Sequence, residues 1–215
     1  MSEREGPHQS IATFSALSPQ ARSIWSKSAA DEESAGHNLL AHMLDVSAVV
    51  ETLLQHEPRT SLDWASRALG LPGESCTRWI AAIAGLHDFG KAIPGFVIKW
   101  PTGHARAEAA GLDFPDQAEE RGNHSLATAA LLAEPLGELT RAPWSWVLAV
   151  VQAIAAHHGR HFRADETRHG RPVGESAEWA RARREILDVY WRTLDPQGCP
   201  SHEDLDLVAV NWLAG

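Results

Sequence analysis

Apolar residues recur at intervals of three and four along much of this chain, and that spacing favours helices over strands. Between Leu39 and Leu54 they fall on one helical face, at positions 39, 40, 43, 44, 46, 49, 50, 53 and 54. No segment alternates apolar and polar residues convincingly enough to predict a strand. We therefore predict an all-α fold, a single compact helical bundle over residues 1–215 with a flexible N-terminus at about residues 1–16.

Capping residues, prolines and glycines divide the rest of the chain into further predicted helices. They span Ser18–Trp25, Asp63–Leu69, Ser75–Leu86, His124–Leu132, Pro143–His157, Ser176–Leu194 and Glu203–Leu213. Segments 101–122 and 161–174 are polar and predict loops, the first with room for one short helix.

Composition excludes several classes of protein. Two cysteines in 215 residues argue against a disulfide framework and favour a reducing, cytoplasmic setting. The longest apolar stretch, Trp146–Ala156, is too short to span a bilayer, so we expect no membrane partner. The formal net charge of −9 argues against a protein that simply coats nucleic acid.

Twelve histidines are present, and several lie at or near the ends of predicted helices. These are His42, the pair His87-Asp88, His124, and the pair His157-His158. Imidazole suits Mn, Fe, Co, Ni, Cu and Zn, whereas a magnesium site is mostly oxygen. One histidine at a helix end is ordinarily a dipole or carbonyl contact, so the interpretation as a metal site depends on the whole combination.

The segment Leu86–Lys91 carries most of the chemistry, because a histidine and an aspartate are followed at once by a glycine and a lysine. A carboxylate between two groups of imidazoles can bridge two metal ions. The lysine is a natural phosphate contact. Nearby, Lys99, Trp100, Arg160 and Arg163 are candidate DNA contacts, with core packing or a solvated loop as the alternatives.

The ordered blocks resemble the HD phosphohydrolase superfamily, and more closely the HD nuclease domain of the CRISPR-associated helicase–nuclease of type I interference. The blocks are Trp25–Ser28, His42–Val49, Leu86–Lys91, Asn123–Ser125 and Ala156–Gly159. The resemblance runs from about Trp25 to Gly215, and it implies an HD-domain bundle with a metal site between helix ends.

The resemblance also implies roles for individual residues. His42, His87 and Asp88 would bind a first metal ion, and Asp88 would bridge to a second. The second ion would be held by three histidines, His124, His157 and His158. Lys91 would face the scissile phosphate, which makes His87, Asp88 and Lys91 the catalytic set. One or two ions of Mn, Co, Ni or Fe are expected rather than Mg.

The implied reaction is attack of metal-activated water on a phosphodiester of single-stranded DNA. The implied partners are a helicase domain, in cis or in trans, and the CRISPR surveillance complex, Cascade. Because no Gly-x-x-x-x-Gly-Lys-[Ser/Thr] motif occurs, this chain alone is not expected to unwind DNA with ATP.

One departure from the superfamily pattern concerns an aspartate that closes the first metal site. In the superfamily it follows a segment like Asn211–Gly215 by a few residues, and here that segment ends the sequence. We therefore expect a piece of a longer, helicase-containing protein, with Asp206 as a substitute ligand if the chain is whole. Two other interpretations stay open: an HD-type nucleotide phosphohydrolase, and an HD-derived docking module without catalysis.

Overall fold

Helices dominate the computed structural model, which describes residues 14–29, 36–202, 205 and 207–214. The α-helices are α1 Pro19–Ser23, α2 Leu39–Leu54, α3 Arg59–Ala68, α4 Cys76–Gly85, α5 Pro94–Val97, α6 Pro101–Ala109, α7 His124–Leu131, α8 Ala133–Thr140, α9 Trp144–Ala155, α10 Ala164–Thr167, α11 Ala177–Leu194 and α12 Leu207–Ala214. Short 3-10 helices span Gly73–Ser75, Leu86–Lys91, Ala118–Arg121 and Arg168–Gly170. The predicted all-α class is confirmed.

The strongly periodic helices agree best with the sequence. Helix α2 has the predicted bounds, and Asn38 caps it by accepting hydrogen bonds from the backbone of the first turn. Helix α8 was not predicted, because Pro135 and Gly137 interrupt its pattern. Pro135 lies in the first turn, where the backbone N–H has no partner within the helix, so the proline is tolerated there.

A short β-ladder replaces the end of the first predicted helix. Helix α1 stops at Ser23, and Ile24 has an extended backbone (φ −73°, ψ 117°). Residues Trp25–Lys27 then form β1, which pairs antiparallel with β2, His37–Asn38. The expectation of a helix through Trp25 and of no strand was therefore wrong. Tertiary contacts override the local pattern here, since the buried Trp25 indole donates to Val97 O at 3.1 Å.

The segments predicted to be loops contain more helix than expected. Helix α6 and a 3-10 turn lie within residues 101–122, and α10 with another 3-10 turn lies within 161–174. Helix α3 begins at Arg59 rather than Asp63. The last predicted helix was to start at Glu203, which lies outside the described residues, and α12 is seen from Leu207.

Helix α4 lies in the middle of the core. It packs against α2 and also contacts α9 and α11. Large aromatic side chains fill the surrounding core, and Trp79, Trp146, Trp179 and Tyr190 are fully buried. The residues that follow α4 therefore leave from the best-packed part of the molecule. No helix among the described residues is long and apolar enough to cross a membrane.

Candidate metal centre

The 3-10 helix Leu86–Lys91, hereafter the HD turn, follows α4 directly and packs against α7. Gly90 allows this close approach: its backbone N–H donates to Thr128 Oγ1 at 2.9 Å. A Cβ atom at position 90 would lie 2.0 Å from the carbonyl oxygen of His124. The glycine therefore lets the first residue of α7 come next to the carboxylate of the HD turn.

Asp88 is the most contacted side chain of the centre and is only 2% exposed. Its Oδ2 atom lies 2.9 Å from His42 Nε2 and 3.2 Å from His87 Nε2. The same oxygen accepts from the Lys91 ammonium at 2.6 Å. Its other oxygen, Oδ1, lies 3.3 Å from His124 Nε2. The two carboxylate oxygens thus face two different groups of histidines.

Burial and polar contacts act in opposite directions on the Asp88 carboxyl. Burial by itself raises its pKa, but the contacts with His42 and His87 and the Lys91 ammonium hold the pKa below its ordinary value. Asp88 is therefore ionised at neutral pH, as a carboxylate ligand must be.

The histidines and Asp88 form two clusters. The first cluster is His42, His87 and Asp88, and the second cluster is His124, His157 and His158. Within each cluster the candidate ligand atoms lie within 4.8 Å of one another. The two are adjacent, since the rings of His87 and His157 are 5.2 Å apart. All six residues are thus brought together, although they come from four separate parts of the sequence.

Hydrogen bonds fix the orientation of two rings. His87 Nδ1 donates to Ala84 O at 3.1 Å, and His157 Nδ1 donates to Ile154 O at 2.9 Å. Because a carbonyl oxygen can only accept, each Nδ1 carries a hydrogen, which leaves Nε2 as the ring nitrogen that can bind a metal ion. This is the orientation that carbonyl partners commonly impose on metal-binding histidines.

Burial also favours neutral imidazoles in the second cluster. It lowers the pKa of His124 to about 4 and lowers that of His157 as well. His158 is more exposed, and its Nε2 lies 3.2 Å from His124 Nε2. Neutral imidazole is the ligand form of histidine, so burial favours the metal-binding form of His124 and His157.

The residues fit a transition-metal ion. His42 Nε2 and His157 Nε2 are buried and lack a well-aligned hydrogen-bond partner among the described residues, despite the short approach of His42 to Asp88. Buried polar atoms of this kind are costly unless something binds them. An imidazole-rich set with one carboxylate suits Mn, Fe, Co or Ni better than Mg.

Lys91 has a different environment from the phosphate-facing one expected. It is 5% exposed, and its ammonium donates to Asp88 Oδ2, to Ser26 O at 3.1 Å and to Ser26 Oγ at 3.4 Å. Ser26 Oγ also lies 3.4 Å from Asp88 Oδ2. Ser26 was not singled out from the sequence; its only signal was its place in the block Trp25–Ser28.

The candidate DNA contacts divide into two pairs. Lys99 donates to Gly122 O, and Trp100 packs edge-on against Trp25 with 5.4 Å between ring centroids. Arg160 forms an ion pair with Glu166, so part of its charge is used within the chain.

The backbone N–H of Arg163 donates to Glu166 Oε2 at 2.9 Å.

Asp206, the substitute ligand expected from the sequence, lies outside the described residues.

An apolar cavity of about 350 Å³ borders the centre. His87 and His157 form part of its wall, and Trp212 from α12 lies opposite α2 and α4. The remaining lining is aliphatic, including Leu53 and Ile83. The cavity is large enough for a nucleobase and opens beside the candidate ligands.

Comparison with known proteins places this geometry in a family. The family model described as "Cas3, HD domain" matches residues 25–215. The CRISPR-associated endonuclease/helicase Cas3 of Thermus thermophilus is 36% identical over 185 residues, which cover 84% of this chain and 19% of that protein. The chain therefore spans about a fifth of the length of that curated relative.

Solved structures are similar too. The Thermus thermophilus Cas3 HD domain, crystallised in the presence of Ni²⁺, aligns with a TM-score of 0.64 and 30% identity, covering 92% of this chain and 73% of that one. A crystal structure of a CRISPR-associated protein aligns with a TM-score of 0.78 and 28% identity, covering 94% and 22%. A chain of a CRISPR RNA-guided surveillance complex before nicking aligns with a TM-score of 0.64 and 20% identity, covering 89% of this chain and 23% of that one. At that identity the match shows the fold alone.

Proposed function

The chain belongs to the Cas3 HD-domain family, and we propose that it is a metal-dependent nuclease domain that cleaves single-stranded DNA in CRISPR interference. The observation that carries this proposal is the pair of histidine clusters that face the two oxygens of Asp88. Two ions on either side of a carboxylate are a common arrangement for phosphodiester hydrolysis.

The proposed ligands follow from the geometry of the clusters. His42, His87 and Asp88 would hold one ion, and His124, His157 and His158 would hold the other, with the Asp88 carboxylate available to both. Mn, Co, Ni or Fe are the proposed metals, which is supported by the donor set and by the Ni²⁺ named for a related HD domain. When bound, the ions supply activated water and stabilise the leaving oxygen.

The protein side chains prepare the centre for this chemistry. The Lys91 ammonium favours the ionised form of Asp88, and Ser26 Oγ donates to the same carboxylate oxygen at 3.4 Å. The carbonyls of Ala84 and Ile154 keep the Nε2 atoms of His87 and His157 available. Lys91 is thus proposed as a positioning residue for the carboxylate.

The proposed partners are a helicase, in cis or in trans, and the CRISPR surveillance complex. The curated relative is named an endonuclease/helicase, and one structural neighbour is a surveillance complex. The formal charge of −9 supports delivery of the strand by a partner, since the chain as a whole does not attract DNA. The proposed location is the cytoplasm, which the low cysteine content supports.

Degradation of a circular single-stranded DNA tests the nuclease proposal. The chain supplied with Mn²⁺ or Ni²⁺ should cut it, and His87→Ala and Asp88→Ala should abolish cutting. His56→Ala is the matched control, because His56 is an exposed histidine in the turn after α2. Full cutting by either site variant would overturn the proposal.

A nucleotide phosphohydrolase is the second candidate, favoured by the apolar cavity beside His87 and His157. In that case the cavity would hold the base of a single nucleotide. Supplying nucleotides and oligonucleotides to the same metal-loaded preparation separates the two. Release of phosphate from nucleotides without any DNA cutting would favour the second candidate.

A non-catalytic docking module is the remaining alternative. Metal analysis of protein purified without chelator tests it directly. A chain that binds no metal in excess Mn²⁺ or Ni²⁺ would contradict both enzymatic candidates.

A further inference from the structure

The contacts of Lys91 raise the question of which group meets the DNA phosphate. A lysine ammonium has three N–H donors. Those of Lys91 face Asp88 Oδ2, Ser26 O and Ser26 Oγ, all within 3.4 Å, and the side chain is buried. Its donors are therefore occupied by the protein, and a phosphate needs another cation.

Lys27 is the cation that the fold supplies at this place. It is the last residue of β1 and follows Ser26, whose backbone oxygen accepts from Lys91. Unlike Ser26 it is exposed. Lys91 is therefore buried beneath β1, and the next residue along that strand, Lys27, faces solvent.

We propose that Lys27 binds a backbone phosphate of single-stranded DNA next to the metal centre. The proposal rests on the nuclease function proposed above and deepens it by naming a substrate contact. Lys91 acts beneath Lys27 as the positioning residue of Asp88, so the two lysines have separate roles. The ligand chemistry is that of a phosphodiester anion.

The charge arrangement supports an anion at this position. Among the residues that the structure describes, Lys27 forms no ion pair with a carboxylate, whereas Lys91 is paired with Asp88. An exposed ammonium that pairs with no carboxylate of the described residues can pair with an anion that the substrate brings. A phosphodiester is the anion that a nuclease substrate brings.

The β-ladder places this contact beside the first cluster. Lys27 pairs with His37 across the two strands, and the His37 ring lies 5.9 Å from that of His42. His37 Nε2 is itself 3.0 Å from Asp45 Oδ2, which holds the ring in place. Single-stranded DNA bound by Lys27 would therefore pass along the edge of the β1–β2 ladder toward His42 and Asp88.

The salt dependence of DNA binding tests the proposal without catalysis. Binding of a fluorescent oligo-dT to the chain is measured by anisotropy, in chelator, over a series of salt concentrations. Each phosphate contact on a single strand contributes about 0.7 to the slope of log affinity against log salt. Lys27→Gln should lower the slope by about that amount and weaken binding severalfold at low salt.

Two further variants separate a local contact from a loss of charge. Arg59→Gln removes one exposed charge at the start of α3 and should leave the slope unchanged. Lys27→Arg keeps the charge and should restore the slope. An unchanged slope in Lys27→Gln, an equal fall in Arg59→Gln, or no measurable binding by the unaltered chain would overturn the proposal.

The outcomes also separate this inference from the nuclease proposal. If the slope depends on Lys27 but the metal-loaded chain never cuts DNA, the phosphate contact stands and the nuclease function fails. If the chain cuts DNA and Lys27→Gln binds and cuts like the unaltered chain, the nuclease function stands and the contact fails.

Discussion

The two histidine clusters have similar ligand numbers but different charge. The first cluster contains the Asp88 carboxylate and has the Lys91 ammonium packed against it. The second cluster consists of three imidazoles and has no carboxylate of its own. Among the described residues, the carboxylate oxygen recorded beside it is Asp88 Oδ1, which lies 3.3 Å from His124 Nε2.

Among the described residues, Asp88 is the carboxylate recorded next to both clusters. A metal ion held by the three imidazoles of the second cluster would therefore depend on the first cluster for an anionic ligand. The first cluster keeps the same carboxylate whether or not the second is intact. We therefore expect changes at Asp88 to affect both clusters and changes at the histidines to affect one.

Replacement of the shared carboxylate should have the largest effect. Asp88→Asn removes the anionic ligand of both clusters, so cutting of single-stranded DNA should fall by more than about a hundredfold. Elemental analysis should find less than one ion per chain. One full ion retained by this variant would show that the second cluster binds metal without Asp88.

Single histidine variants should separate the clusters. His157→Ala should remove the ion of the second cluster and leave the first filled, while His42→Ala should weaken the first. Each variant is expected to lose about one ion per chain in elemental analysis, with His56→Ala unchanged as the control. Loss of both ions in His157→Ala would contradict the one-way dependence.

The metal-free chain should lose stability in acid mainly through the second cluster. Burial lowers the pKa of His124 to about 4, while in the unfolded chain it titrates near its ordinary value of 6.5. Between these values the unfolded state binds more protons, so the free energy of unfolding falls as pH falls. The loss from His124 is at most about 3 kcal/mol.

Asp88 does not contribute over that range, because a carboxyl with a lowered pKa loses its stabilising effect only at lower pH. Denaturant unfolding in chelator at pH 7 and pH 4.5 measures the difference, and His124→Gln should reduce it. A free energy of unfolding that does not change between these two pH values would contradict this account.

Replacement of Gly90, where the HD turn meets α7, should have the smallest effect. Its Cβ would lie 2.0 Å from His124 O, so Gly90→Ala must push α7 away from the HD turn, at a cost of about 1–3 kcal/mol. Thermal unfolding measures this. Gly73→Ala is the control, since its Cβ would make an ordinary contact of 3.8 Å with Ser66 Oγ. Equal unfolding temperatures in the two variants would contradict the role of Gly90.

The helices could be predicted because their signals are local, as in α2, which repeats its apolar face over sixteen residues. The six clustered residues were predicted from the order of short motifs that resemble a family, and the structure brings them together. The β1–β2 ladder was not predictable, since two short strands carry too few residues for a pattern. The ladder brings Ser26 to the centre through contacts with Asp88 and Lys91, which lie 62 and 65 positions further along the sequence.

The contacts of Lys91 also could not be predicted from the sequence. Its place after His87-Asp88 predicted a phosphate contact, whereas its burial and its pairing with Asp88 follow from how β1 covers the HD turn. A sequence pattern identifies which residue types are present and does not determine which of them face solvent.

Anomalous diffraction from crystals grown with Mn²⁺ or Ni²⁺ tests the central claim most directly. Two peaks are expected, one on each side of Asp88, the first beside His42 and His87 and the second among His124, His157 and His158. No peak beside Asp88 in excess metal would contradict it.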